Sequence, residues 1–249
     1  AVDAIASFCD SGGSIAFFVS GIAIDTAKDW AAVPKGDDAL IEYLGSRGVH
    51  LQRNLVMDAN SYRMTLPSLD NSRYQTVDYP FWVSVKTDRE PITLFWPSSI
   101  VTDVPTMIPF AVSSARTAPA IRPFDTSPFS DRSKELSESR EPYVFGIRGS
   151  MNDNGNSRAI VIADERLPGS MNDFVSSPSN LDFLVSCAEW ISGRDDLLSL
   201  KITGKTSNMA PKKFIEADLR NGAFAEAAII AIFALTSSII FVVSGRKRR

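Results

Sequence analysis

Histidine and cysteine are scarce in this chain, with one histidine and two cysteines among 249 residues. The single histidine, His50, has no cysteine or carboxylate at ligand spacing, so no metal site is read from the sequence. It sits between Val49 and Leu51 in an extended segment, where alternation turns it to the outside. Cys9 and Cys187 both fall within apolar helical patterns and read as buried free thiols rather than a bridge. Positive charge is not in excess: 26 basic residues face 29 acidic ones, which excludes a nucleic-acid surface. A phosphate-binding glycine loop is absent, so the chain is not itself an ATPase, and no cofactor is implied. The stretch Asn-Asp-Asn-Gly-Asn at 152–156 lacks the alternating carboxylates and distal glutamate of a calcium loop, and reads as a turn.

A start signal is missing too. The first residue is not Met, and no charged segment followed by an apolar one opens the chain. A domain outside the cytoplasm needs export, so the sequence reads as the C-terminal part of a longer protein. The missing part is expected to hold an N-terminal span or signal.

What the chain does have is one long apolar run. Ala223–Ser244 carries a single charge, Glu226, near its start. A helix of that length spans roughly 30 Å, the thickness of a bilayer's hydrocarbon core. Arg246, Lys247, Arg248 and Arg249 follow at once. Basic residues stay on the cytoplasmic side, which puts the tail inside and the bulk of the chain on the outer face of the cytoplasmic (inner) membrane. Glu226 either reaches the headgroups or pairs with a basic residue of a neighbouring membrane helix. The expected organisation is an extracytoplasmic domain over 1–202, a juxtamembrane segment over 203–222, a membrane helix over 223–244 and a basic tail over 245–249.

Within 1–202, helix, glycine stop and apolar strand recur. Val2, Ile5, Phe8 and Cys9 share a helical face, Gly12-Gly13 ends it, and Ile15–Val19 is a strand-length apolar run. Leu40, Ile41 and Leu44 repeat the scheme, with Gly48 as the stop and Val49–Met57 extended. This grammar predicts an α/β fold with a mostly parallel sheet. Residues 74–113 are extended and aromatic, but five prolines make their strands short or place them at an edge. Thr117–Glu141, rich in Ser, Pro, Arg and Asp, reads as a mobile loop. Tyr143–Ile147 and Arg158–Ala163 form a hairpin whose second strand is buried. A last helix is capped by Ser177 or Ser179, carries Asp182 in its first turn and stops at Gly193. Its apolar stripes, Leu181, Leu184, Val185, Ala188 and Ile191 with Phe183, Cys187 and Trp190, predict a helix packed on its sheet over most of its circumference.

Asp-Ser-Gly-Gly at 10–13 invites comparison with a serine-protease nucleophile, but the only histidine follows it and the context is the end of a helix. A ligand edge is the better candidate. Ser20, Gly21, Ser98, Ser99 and Asp164 all follow apolar strands, and open α/β sheets bind ligands beyond their strand ends. The simpler reading is that Asp164 begins a turn.

The stretches CDSGGSIAFFVSG, LIEYLGSRGVHLQRNLVMD, YPFWVSVKTDREPITLFWPSSI, SRAIVIADE and NLDFLVSCAEWISGRDDLLSLK, in this order and ahead of a final span, resemble the GldG-like auxiliary subunits of gliding-motility-type ABC transporters. The resemblance implies a flavodoxin-like or class I glutamine-amidotransferase-like domain, without catalytic residues. It also implies partnership with an ABC permease and a cytoplasmic ABC ATPase. Where the family often has Gly-Asp-Ser-Asp, this chain has Ala163-Asp164-Glu165-Arg166, so only Asp164 carries over. The expected function is a non-catalytic, membrane-anchored auxiliary subunit of an ABC export system. The rival is a membrane-tethered ligand-binding module, for a carbohydrate for instance, that acts without a transporter.

Overall fold

A computed structural model describes residues 2–28, 30–68, 70, 72–87, 91–151, 157–175 and 178–193. The chain divides into two units, Ala1–Leu198 and Ser199–Arg249, and the second lies outside the described residues. The expected membrane run 223–244, with Glu226 and the basic residues 246–249, is therefore outside them as well.

In chain order the elements are α1 (Val2–Asp10), β1 (Ile15–Phe18), β2 (Ile22–Asp25), β3 (Ala31–Pro34), α2 (Ala39–Ser46), β4 (Val49–Leu51) and β5 (Val56–Asp58). Then come β6 (Ser61–Pro67), β7 (Tyr74–Val85), β8 (Ile92–Phe95), β9 (Ile100–Thr102), β10 (Ile108–Val112) and β11 (Thr117–Pro119). The series closes with β12 (Val144–Gly149), β13 (Ala159–Ile162), a 3-10 turn at Ser170–Phe174 and α3 (Ser179–Ile191).

The expectation of a mostly parallel, flavodoxin-like or amidotransferase-like sheet followed by a membrane helix is corrected here. Only β1 and β13 pair in parallel; the other described pairs are antiparallel. The strands make a four-stranded sheet in the order β1-β13-β12-β10, a three-stranded sheet β6-β7-β8, and the pairs β2-β3, β4-β9 and β5-β11. The helix–glycine–strand grammar does occur twice. Its two strands enter different sheets, however, and among the described residues from Val49 to Ile162 strand follows strand with no α-helix to carry a parallel crossover. No described helix is long and apolar enough to cross a membrane.

Local chemistry accounts for the elements. Asp38, in an extended conformation, accepts from the N–H groups of Leu40 and Ile41 at 2.9 and 3.2 Å and so starts α2. Gly12, at φ +91°, closes α1, and the Gly13 N–H donates to the Phe8 carbonyl. The hairpin expected at 143–163 is present as β12 and β13, and β13 is buried along its whole length. Its turn, 152–156, is outside the described residues. The expectation of short or edge strands over 74–113 fails at β7, which has 12 residues and is central. Pro80 is tolerated because the ladder with β6 breaks there: Ser61 faces Val83 and Tyr62 faces Tyr79, which leaves Pro80 in the irregularity between. Val49–Met57 is likewise not continuous, since β4 and β5 are separated.

Three apolar clusters form the core. One lies between α1, α2 and the strands β1, β4 and β13 and includes Phe17, Leu44, Val49 and Val161. A second joins β8, β12, β13 and α3 through Leu94, Phe145, Ile160 and Cys187. The third is aromatic and gathers Tyr79, Phe81, Trp82, Phe95 and Trp96 beside β2, β5 and β6. Cys9 and Cys187 are both buried and form no disulfide. α3 buries less than its composition suggests: Cys187 is its buried apolar residue, whereas Leu181, Val185 and Ala188 are exposed. Its first helical residue is Ser179, no side chain caps it, and Ser177 is outside the described residues.

Segment 117–141, expected as a mobile loop, opens with β11 on β5 and wraps the aromatic cluster. The Tyr79 hydroxyl donates to the Thr126 carbonyl at 2.8 Å and accepts from Trp96 Nε1 at 2.9 Å. Thr126 Oγ1 donates to the Trp30 carbonyl at 2.7 Å, and Leu136 is buried. Burial also pushes the Tyr79 pKa up. Tyr79→Phe strands the Trp96 N–H and the Thr126 carbonyl without the hydroxyl between them. We expect a loss of about 2 kcal/mol in urea unfolding, with the protein still folded at 25 °C.

Candidate functional site

The structure brings the five predicted strand-end residues into one zone and consumes their polar atoms there. Ser98 Oγ accepts from the Gly21 N–H at 3.0 Å, while the Ser98 N–H donates to the Ala163 carbonyl at 3.1 Å. This joins the end of β1 to the end of β13. Ser20 Oγ donates to the Ile22 carbonyl at 2.9 Å and accepts from the Ile22 N–H. Ser99 donates its N–H to Asn54 Oδ1 at 2.9 Å, and its hydroxyl meets the same amide group. Ser20, Ser98, Ser99 and Asp164 are all buried. Gly21 is obligatory by proximity, because a Cβ there would lie 2.1 Å from the Gln52 carbonyl oxygen.

Asp164 is the centre of this zone. Its Oδ2 accepts from the Phe95 N–H of β8 at 2.7 Å, and its Oδ1 accepts from the Arg166 N–H at 2.8 Å. Burial pushes its carboxyl up to about 7, against the pull of the Phe95, Arg166 and Leu167 N–H groups and of the Arg166 charge. Asn180, in the first turn of α3, does the matching work one pair of residues along β8. It accepts from the Thr93 N–H at 2.8 Å and donates to the Thr93 carbonyl at 2.9 Å, as a neighbouring strand would. It also donates to Asn172 Oδ1. No sequence cue singles out Asn180, since a polar residue at a helix start reads as generic. Beside the zone, Lys35 pairs with Glu165 and lies 3.9 Å from Asp38.

A second feature is an open groove of 870 Å³. Thr26, Ala27, Lys28, Trp30 and Ala31, with Leu66–Ser68 and Phe124–Phe129, line it, so three segments far apart in sequence build it. Its floor includes Trp30, whose ring packs on Tyr79, Trp82 and Trp96 at centroid separations of 5.3, 6.2 and 5.5 Å. Trp30 and Trp96 hold φ of +60° and +52°, left-handed backbone that costs a bulky residue on the order of 1–3 kcal/mol each. The ring packing fixes both. Asp125 sets the groove's far wall: it accepts from Ser127 N–H and Ser130 Oγ, and Arg132 bonds it at 2.7 Å. The hydrogen bond to Ser130 holds the Asp125 pKa below the usual carboxylate range.

His50 lies apart from both features, exposed on β4 and 3.1 Å from Asp103. Asp-Ser-Gly-Gly is the end of α1, as expected. Among the described residues no group of His, Cys, Asp and Glu is placed to hold a metal.

The chain belongs to the family of auxiliary components of ABC-type transport systems: the family model for an ABC-type uncharacterized transport system matches residues 1–187. No curated protein matches the chain. Among solved structures, the mmIFT52 N-terminal domain aligns at a TM-score of 0.43 and 9% identity, over 76% of this chain and 69% of its own.

Two predictions follow from the strand-end zone. The raised Asp164 pKa means that the folded chain holds a proton the unfolded chain has released. That stability is fully present below the unfolded value and is lost as pH rises through about 7. The cost of Asp164→Asn in urea unfolding should therefore be largest near the acid end of this window and shrink by pH 8. A cost that grows with pH would contradict the assignment. Asn180→Ala leaves the Thr93 N–H and carbonyl without their partner. It should cost about 2 kcal/mol and raise amide exchange at Thr93 before exchange at Leu94.

Proposed function

We propose that this chain serves its transport system as a non-catalytic binding subunit, engaging an ABC permease that works with a cytoplasmic ABC ATPase. The family match over residues 1–187 carries this reading. The ordered sequence stretches quoted above support the finer assignment to the GldG-like, gliding-motility type. The apolar run 223–244 and the basic residues 246–249 support a place at the cytoplasmic membrane, with the described domain on its outer face.

The groove is the contact surface this reading favours. It is open, partly aromatic and rigid at its floor, with Lys28 exposed at one side and Asp125 at the other. Aromatic anchors with a charged rim are the usual make-up of a protein-binding surface. The strand-end zone, by contrast, spends its polar groups internally.

Affinity purification of the full-length protein from membranes in mild detergent tests the reading. A multi-span permease and an ABC ATPase should co-purify in fixed ratio. Phe129→Ala combined with Lys28→Glu should lower the recovered permease about tenfold and leave the thermal midpoint nearly unchanged. Recovery of this protein alone, in every detergent that keeps it folded, would overturn the proposal.

A further inference from the structure

A strand at the edge of a sheet turns half its N–H and carbonyl groups away from its partner, and folds commonly blunt such edges. Three edges here are blunted. β10 carries Pro109, and its pairing with β12 is interrupted on both sides of Ala111. β8 is covered by Asn180 on Thr93 and by Asp164 on Phe95. β6 ends in Pro67 and carries Arg63, charged, exposed and paired with Asp78.

β1 has none of these devices. It pairs with β13 in unbroken register from Ile15 to Phe18, and from Ser11 to Ile24 there is neither a proline nor a charged residue. The phase of the ladder is fixed at both ends: the Ile15 N–H donates to the Arg158 carbonyl at 2.8 Å and the Val19 N–H to the Ile162 carbonyl at 3.0 Å. In a parallel pair alternate residues bond one neighbour. Ile15, Phe17 and Val19 therefore face β13, while Ala16 and Phe18 direct their N–H and carbonyl groups to the free side, where no described residue bonds them. Both faces of β1 are nonetheless apolar and packed. Phe17 belongs to the cluster under α1 and α2, with Ile15 against it, and Ala16 and Phe18 lie against the cluster under α3. Burial on both faces is the mark of an interior strand, yet among the described strands β1 is at the edge.

We propose that this free edge is an interface between two copies of the chain, β1 against β1 in antiparallel two-fold register. That register matches the outward groups. Ala16 of one copy faces Phe18 of the other, and the reverse, so each outward N–H meets an outward carbonyl in four hydrogen bonds. Phe17 then stands opposite Phe17 at the close, non-hydrogen-bonded position on the axis. An isologous contact must be self-complementary, and a charge-free segment brings no like charges together at the axis. Two four-stranded sheets thereby become one continuous sheet.

Hydrogen exchange on the full chain in detergent, run at low and high protein concentration beside sedimentation, tests this. The expected result is a dimer at high concentration. Ala16 and Phe18 amides should then exchange about tenfold more slowly than at low concentration, with Phe17 unchanged. Ala16→Pro deletes an outward donor that the β13 ladder does not use, and should leave a folded monomer. A wild-type chain that stays monomeric at all concentrations would sink the proposal. So would a dimer in which Ala16 and Phe18 exchange is unaltered, or one that survives Ala16→Pro.

Discussion

The four-stranded and three-stranded sheets meet through side chains and turns, and the bonds to β8 are the constraint on which their arrangement depends. Asp164, at the end of β13, holds the Phe95 N–H; Asn180, at the start of α3, holds both main-chain groups of Thr93. A main chain buried at such a junction has to be satisfied, and here a carboxylate and an amide stand where a strand would otherwise run. Ser98, bonded to both Gly21 and Ala163, closes the same seam from the loop after β8. Removing water from Asp164 is costly, as its raised pKa records, and the N–H groups around it offset part of that cost.

The same seam places the aromatic cluster. β8 ends at Phe95, and Trp96 follows in left-handed backbone with its indole N–H on Tyr79. Tyr79 in turn holds Thr126, and Thr126 holds Trp30 at the floor of the groove. A chain of single contacts thus runs from the buried carboxylate to the open surface. The groove is the half of the molecule with unspent surface, and the seam is the half that keeps it in shape.

Much of the local structure was legible in the sequence. The end of α1 at Gly12-Gly13, the stripe of Ile41 and Leu44, the exposed His50 and the β12–β13 hairpin all rest on contacts between near neighbours, which periodicity and turn residues report. The meeting of Ser20, Gly21, Ser98, Ser99 and Asp164 was legible too, because strand ends are where polar residues follow apolar runs. Partner choice was not. Nothing in Ile15–Phe18 says that it will lie beside Ala159–Ile162, or that the strands between will pair antiparallel, so the parallel-sheet expectation extended the helix–glycine–strand grammar of two segments to the whole domain. Pro80 misled because a bulge, invisible in sequence, absorbs it. Asn180 and the groove were missed for one reason: each is made by groups 35 or more residues apart, from Ala31 and Leu66 in the groove to the Asn180–Thr93 pair separated by 87.

Three of the four tryptophans, Trp30, Trp82 and Trp96, share one cluster, while Trp190 sits apart beneath Arg158. Excitation absorbed by any of the three can pass among rings about 6 Å apart, so their emission is a common signal dominated by the ring with the lowest-lying excited state. Trp30 is the member that borders solvent. The protein therefore carries an intrinsic optical reporter wired to its groove, and whatever covers that surface writes itself into the colour and intensity of the chain's own fluorescence.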